Sequence, residues 1–233
     1  MNLIKLLSSQ GYDYIEGISR EHRPLQLWRD RMFDRPECLS EHVDHTFKSP
    51  IALEEIVNPA LNIDFSQKQD YNFNFGLTAL EGLLKSLNLG VANFSASLGS
   101  GKDFTISFSD TISKEYRIGN IDAYLYEADL LHPNPPLVKD LNKNNIMIVS
   151  GVLFAKKFQV ELTTSTEISA EAKAELAKSV SGNIKFEYKN EKSLKMIASN
   201  DTYFPVAVKA DQLCYDHSEF KKTKLLTDVR NIF

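Results

Sequence analysis

The stretch at residues 145–164, NIMIVSGVLFAKKFQVELTT, constrains the fold more than any other part of the chain. Residues 146–154 are a β-branched, apolar run, the pattern of a strand buried on both faces. Phe158, Val160 and Leu162 then alternate with Gln159, Glu161 and Thr163, so one face is apolar and the other polar. Lys156 and Lys157 interrupt the apolar pattern between the two parts, which predicts two strands meeting at a basic corner. No side chain in the stretch is suited to bond-making chemistry. Its signal is architectural and points to a function of shape and surface.

The flanking sequence has the same character. A short helix ending at Gly11 is expected from Leu3, Ile4, Leu6 and Leu7, followed by a strand in YDYIEGI. Residues 20–60, punctuated by Pro24, Pro36, Pro50 and Pro59, read as irregular, with a brief helix at residues 52–57 stopped before Pro59. Ile63 and Phe65, then Tyr71, Phe73 and Phe75, alternate with polar residues as strands do. Thr78 and Glu81 make a capping box for a helix with Leu80, Leu83, Leu84 and Leu87 on one face and Gly90 at its stop. Strands at residues 91–98 and 103–109 follow, joined by a turn at Gly99 and Gly101.

Asn120 reads as the cap of a helix, IDAYLYEADLL, closed by a loop, HPNPP. Ser169 caps an Ala- and Glu-rich helix stopped by Gly182, and strands return at residues 183–188 and 204–213. Strand, helix, strand therefore occurs twice, at about residues 62–109 and 146–188. The expected class is α+β, a twisted, mainly antiparallel sheet with packed helices.

Composition excludes several functions. The net charge of −4 and pI near 5.8 argue against a nucleic-acid binder and against permanent attachment to an anionic membrane. The two cysteines, Cys38 and Cys214, form no CxxC, which fits a reducing compartment and neither a disulfide framework nor a structural zinc. The N-terminal residues lack the features of a secretory signal, and no run reaches the ~20 apolar residues of a membrane helix. In that compartment the sequons at Asn93 and Asn200 carry no weight.

Cys38, His42, Asp44 and His45 are the one cluster with a metal or nucleophile flavour, but no third strong ligand has motif spacing, so the segment reads as a solvated loop. GSGKD at residues 99–103 has Asp103 where a phosphate loop needs a hydroxyl, and a strand follows where that loop opens a helix. Neither a cofactor nor an enzymatic activity is expected.

Beyond Asp216 the sequence changes. Leu225, Leu226, Val229, Ile232 and Phe233 fall at helical spacing, an apolar stripe preceded by Lys221, Lys222 and Lys224. So short a helix does not hold alone in water and must dock on the body or fray. Full burial of such side chains contributes about 1.5–3 kcal/mol each, and ordering the segment costs a comparable amount. The stripe reads either as a latch that stays shut while covalently attached and leaves once the chain is cut, or as an ordinary docked terminal helix. The segment before it, His217, Ser218, Glu219, Phe220, Lys221, Lys222, Thr223 and Lys224, reads as a charged, accessible linker and candidate cleavage site.

The order of these elements resembles the bacterial gasdermins. The resemblance spans nearly the whole chain: RPLQLW at residues 23–28, NIDFSQKQDYNFNFGLTALEGLLKSL, the FTISFS strand followed by IDAYLYEADL, NNIMIVSGVLFAKKFQVEL, and FPVAVKADQLCYD before a short tail. It implies a gasdermin-like pore-forming domain at residues 1–216 and an autoinhibitory peptide at 217–233. It further implies a monomer in the cytoplasm that an activating protease, caspase-like or other, trims in antiphage defence. The trimmed body would form a homo-oligomer, insert β-hairpins into the lipids of the cell inner membrane and kill the cell. The two strand–helix–strand units are the expected source of those hairpins, and Lys156 and Lys157 are either candidate contacts to anionic headgroups or solvated lysines at a hairpin tip. The cysteine that several members carry after the initiator methionine is replaced here by Asn2, Leu3 and Ile4. The alternative is a soluble protein-binding module, immunity or antitoxin-like, that would lose only stability or affinity on losing its tail.

Overall fold

The computed structural model describes residues 7–15, 22–30, 36–60, 63–67, 101–133, 135–170, 173–174, 177, 184–216 and 219–225. Their elements run β1 (Asp13–Tyr14), β2 (Leu27–Arg29), β3 (Glu37–Ser40), a 3-10 turn (Val43–His45), β4 (Phe47–Lys48), β5 (Ile56–Pro59), β6 (Ile63–Gln67), β7 (Gly101–Ser109) and β8 (Ile112–Glu115). They continue with α1 (Ile118–Tyr126), β9 (Asp129–Leu130), α2 (Pro135–Asn142), β10 (Ile146–Thr164), β11 (Ile184–Asn190), β12 (Ser193–Asp216) and β13 (Glu219–Leu225). All these strands except β4 and β9, which pair with each other, join one eleven-stranded sheet.

Two long strands form its spine. The two strands expected in the stretch at 145–164 are one, the 19-residue β10. It runs antiparallel to the 24-residue β12 from Met147↔Gln212 to Thr163↔Ser193. The basic corner survives only as a register shift between Ala155 and Lys157, a bulge whose unmatched residues, 200–203, are on β12 while β10 runs on without a break. The shorter strands attach along the outer sides of this pair. β2, β8 and β7 follow one another along β10, and β11, β1 and β13 along β12.

The first half of β10 is buried on both faces, as its β-branched run dictates. Ile146 and Ile148 pack with Leu25, Leu27, Phe47, Leu213 and the inner side of α1 and α2, namely Ile121, Tyr124, Leu125 and Leu141. Met147, Val149 and Val152 pack on the other face with Ile15, Trp28 and Val208.

Several local expectations are corrected. Residues 20–60 hold β2 to β5, and the brief helix expected at 52–57 is replaced by irregular backbone and by β5, which pairs with β8 from Ile56↔Glu115 to Pro59↔Ile112. β-branched Ile56 and Val57 favour the pleat once β8 offers an edge, and Pro59 is tolerated because β5 is itself an edge strand. Helix α1 begins before Asn120: its cap is Arg117, and the Asn120 N–H donates to the Arg117 carbonyl at 2.9 Å. The proline-rich loop leads into α2, with Pro135 at the position where a missing N–H costs nothing. Asn144, at φ 54, closes α2 in the left-handed region and turns the chain into β10.

The strand expected at 204–213 is the later part of β12. The elements expected at 71–98 lie outside the described residues, as does most of the helix after Ser169, where the Lys173 N–H donates to the Ser169 carbonyl at 3.1 Å.

Candidate functional site: a two-faced sheet end and a terminal strand

Beyond the bulge, the sheet is ordered β6–β7–β10–β12–β11. Strands from the two stretches expected to supply hairpins meet here, at the pairing of β7 with β10. Ile106 and Phe108 of β7, Phe158, Val160 and Leu162 of β10, and Leu194, Met196 and Ala198 of β12 are all buried. They lie in rows: Ile106, Val160 and Met196 form one, and Phe108, Phe158 and Ala198 the next. The Phe108 and Phe158 rings are 5.1 Å apart, tilted by 48°. Residues that alternate with these, among them Thr105, Ser107, Gln159, Glu161 and Lys195, are only partly buried. Glu161 accepts a 2.6 Å ion pair from Lys189 of β11. The period of two fixes this division, and it gives a sheet with one apolar and one polar face.

The second feature is β13. It pairs antiparallel with the end of β12, from Asp216↔Glu219 to Asp211↔Leu225, and α1 lies alongside it. The expectation of a flexible linker is corrected here: Glu219, Phe220, Lys221, Lys222, Thr223 and Lys224 are strand residues, and Leu225 ends the strand instead of opening a helix. The end of β12 supplies a long row of backbone donors and acceptors, and pairing with it satisfies groups that a linker would leave to water. His217, Ser218, Leu226, Val229, Ile232 and Phe233 lie outside the described residues.

A polar clamp, which sequence reading did not anticipate, braces the same region. Glu115 of β8 and Lys209 of β12 are both register partners of Gly151, from opposite sides of β10. A Cβ at Gly151 would stand 2.9 Å from the Glu115 Cγ, so the glycine leaves the space in which the carboxylate reaches across the strand. The Lys209 ammonium pairs with Glu115 Oε1 at 2.9 Å and sits 4.5 Å over the Tyr12 ring. The Tyr12 hydroxyl donates to the same carboxylate oxygen. Burial opposes the charge on Glu115, but the hydrogen bonds from Tyr12 and Lys209 outweigh it and hold the carboxyl below its ordinary range. Burial, and then the neighbouring carboxylate, push the Tyr12 phenol well up. The one legible signal was a glycine inside an apolar strand, which marks close approach.

The remaining sequence candidates are dispersed. Lys156 and Lys157 sit mid-strand, opposite the β7–β8 turn, and not at a hairpin tip. The Lys157 ammonium meets Asp110 at 2.8 Å, and that of Lys156 lies 4.8 Å over the Tyr203 ring. His42 and Asp44 contact each other at 3.3 Å, and Asp44 accepts from the Tyr124 hydroxyl at 2.6 Å, at the edge of a cleft of about 570 Å³. Cys38 is on β3, its thiol 3.6 Å from the Ser40 carbonyl. Among the described residues no three His, Cys, Asp or Glu side chains gather to hold a metal, and no helix is long and apolar enough to cross a membrane.

This architecture, a long two-strand spine with a two-faced end, has a counterpart among solved structures. A bacterial gasdermin from Bradyrhizobium tropiciagri superposes with a TM-score of 0.60 over 95% of this chain and 90% of that one, at 14% identity, which defines the fold as that of a gasdermin. The sequence comparison is narrower: residues 15–222 match the Bacterial Gasdermin Family, and the chain belongs to it. The gasdermin bGSDM of Lysobacter enzymogenes is 24% identical over 170 residues, covering 71% of this chain and 62% of that protein's length.

Proposed function

We propose that this gasdermin is a non-enzymatic pore former held inactive by residues 217–233. The observation that carries the reading is the two-faced sheet end, where β7 and β10 already lie side by side with a continuous apolar stripe. A barrel wall needs strands of ~9–11 tilted residues, apolar toward lipid and polar toward the lumen, with backbone groups satisfied by neighbouring strands. β7 has 9 residues, and β10 and β12 are longer. Extending these strands into hairpins and pairing them between copies would meet all three requirements.

In this reading an activating protease, caspase-like or other, cuts near residues 217–224 and weakens the attachment of the tail. The cytoplasmic monomer then oligomerises, enters the cell inner membrane and permeabilises it as a step of antiphage defence.

The test is a full-length protein carrying a protease recognition sequence inserted at residues 217–218, mixed with dye-loaded vesicles of anionic and zwitterionic lipid. Cutting is expected to produce large assemblies by light scattering and to release the dye, while the uncut protein does neither. Cut protein that stays monomeric beside intact vesicles overturns the proposal.

A further inference from the structure

At the level of β13 the sheet is ordered β13–β12–β10–β2–β3, and every neighbouring pair is antiparallel. One row of register partners crosses it completely: Lys224, Gln212, Met147, Trp28 and Cys38. Among the described residues β13 and β3 are its two edges, β13 pairing only with β12 and β3 only with β2. The two edges differ in chemistry. β13, EFKKTKL, carries lysine at 221, 222 and 224, the composition that keeps further strands off a sheet edge. The β12 segment beneath it, DQLCYD, has no lysine, and neither has β3, ECLS.

We propose that β13 is an edge guard, and that its departure opens residues 211–216 of β12 to strand addition by β3 of a second copy of this chain. The occupant follows from strand direction. With β13 gone, four strands of alternating direction remain, and β3 runs the same way as β13. A second copy set beside the first in the same orientation therefore brings its β3 antiparallel to the vacated edge, where β13 had been. The contact joins two different surfaces, so it leaves a free edge on each end and propagates, whereas a self-complementary contact would stop at a dimer. Backbone hydrogen bonds supply its affinity, as in other strand additions. This inference rests on the proposed release of the tail, but not on membrane insertion.

The chain's two cysteines report on it directly. In the joined sheet Cys38 of one copy faces Gln212 of the next, and Cys214 is the diagonal neighbour on the same side, ~7–8 Å away. The protein with the cleavable insertion at 217–218 is cut and treated with a short thiol-to-thiol crosslinker, in parallel with a vesicle-leakage assay. A ladder of multimers is expected from the cut protein and none from the uncut. Cys38→Ser and Cys214→Ser should each give no ladder alone, and a mixture of the two should give dimers only.

Dimers from Cys38→Ser alone would mean self-complementary pairing of the vacated edges and would overturn the head-to-tail contact. Leakage or large assemblies without any ladder overturns the edge proposal and leaves the pore reading standing. A ladder without leakage supports the edge proposal and removes the pore reading. Cut protein that stays monomeric overturns both.

Discussion

Single residues matter most at the clamp across β10. Glu115 accepts from Tyr12 and Lys209 in a partly buried setting, and hydrogen bonds to charged groups contribute ~1.5–3 kcal/mol each. Glu115→Gln keeps the shape and removes the charge, so a loss of about 1–3 kcal/mol at neutral pH is expected from urea denaturation. The sign with pH follows from the direction of the shift. The folded carboxyl titrates lower than the unfolded one, so its stabilisation is present above the ordinary carboxylate range and is lost as pH falls through the lowered value. The gap between wild type and Glu115→Gln should therefore narrow in acid, and a gap that stays constant from neutral pH into acid would remove the charge from the account. Gly151 is the silent member of the clamp, because any side chain there meets the Glu115 stem.

Among the elements, β13 decides how the tail is understood. Cys214 and Lys222 are register partners on β12 and β13, and directly opposed residues of an antiparallel pair come close enough for a disulfide. Lys222→Cys should therefore oxidise with Cys214 and lock β13 in place. After cutting at an inserted site in 217–218, the oxidised protein is expected to remain monomeric and the reduced protein to assemble, both followed by size-exclusion chromatography. Equal assembly with and without reductant would show that β13 does not hold the protein at rest. The same pairing explains why a segment with three lysines is a strand at all: local propensity is weak there, and the end of β12, just before it in the chain, offers the hydrogen bonds.

For the whole molecule the proposed function turns on how a sheet with an apolar stripe would meet a bilayer. Lys156 and Lys157 stand at the bulge where the two-faced end begins, and at rest they face Tyr203 and Asp110. As headgroup contacts each would add about 1 kcal/mol on anionic lipid. Reversing both, with Lys156→Glu and Lys157→Glu, should then lower leakage from anionic vesicles by roughly tenfold or more and leave zwitterionic vesicles almost unaffected. Unchanged leakage from anionic vesicles would assign the pair to the β7–β8 turn alone.

Much of the frame was legible before any tertiary contact was known. Burial of residues 146–154 on both faces, the alternation from Phe158 to Leu162, the mainly antiparallel sheet and the gasdermin resemblance all follow from side-chain period and order, which are local properties. The tertiary structure alone decided what depends on which strands come to lie side by side. Lys156 and Lys157 do not end β10 because β12 pairs with it on both sides of them and takes up the irregularity in its own unmatched residues, 200–203. Residues 219–225 are a strand because an unfilled edge was within reach, and Glu115, Gly151 and Lys209 form one clamp because three strands bring them into register. Periodicity tells a segment which face to bury, but only the assembled sheet tells it which edge to join.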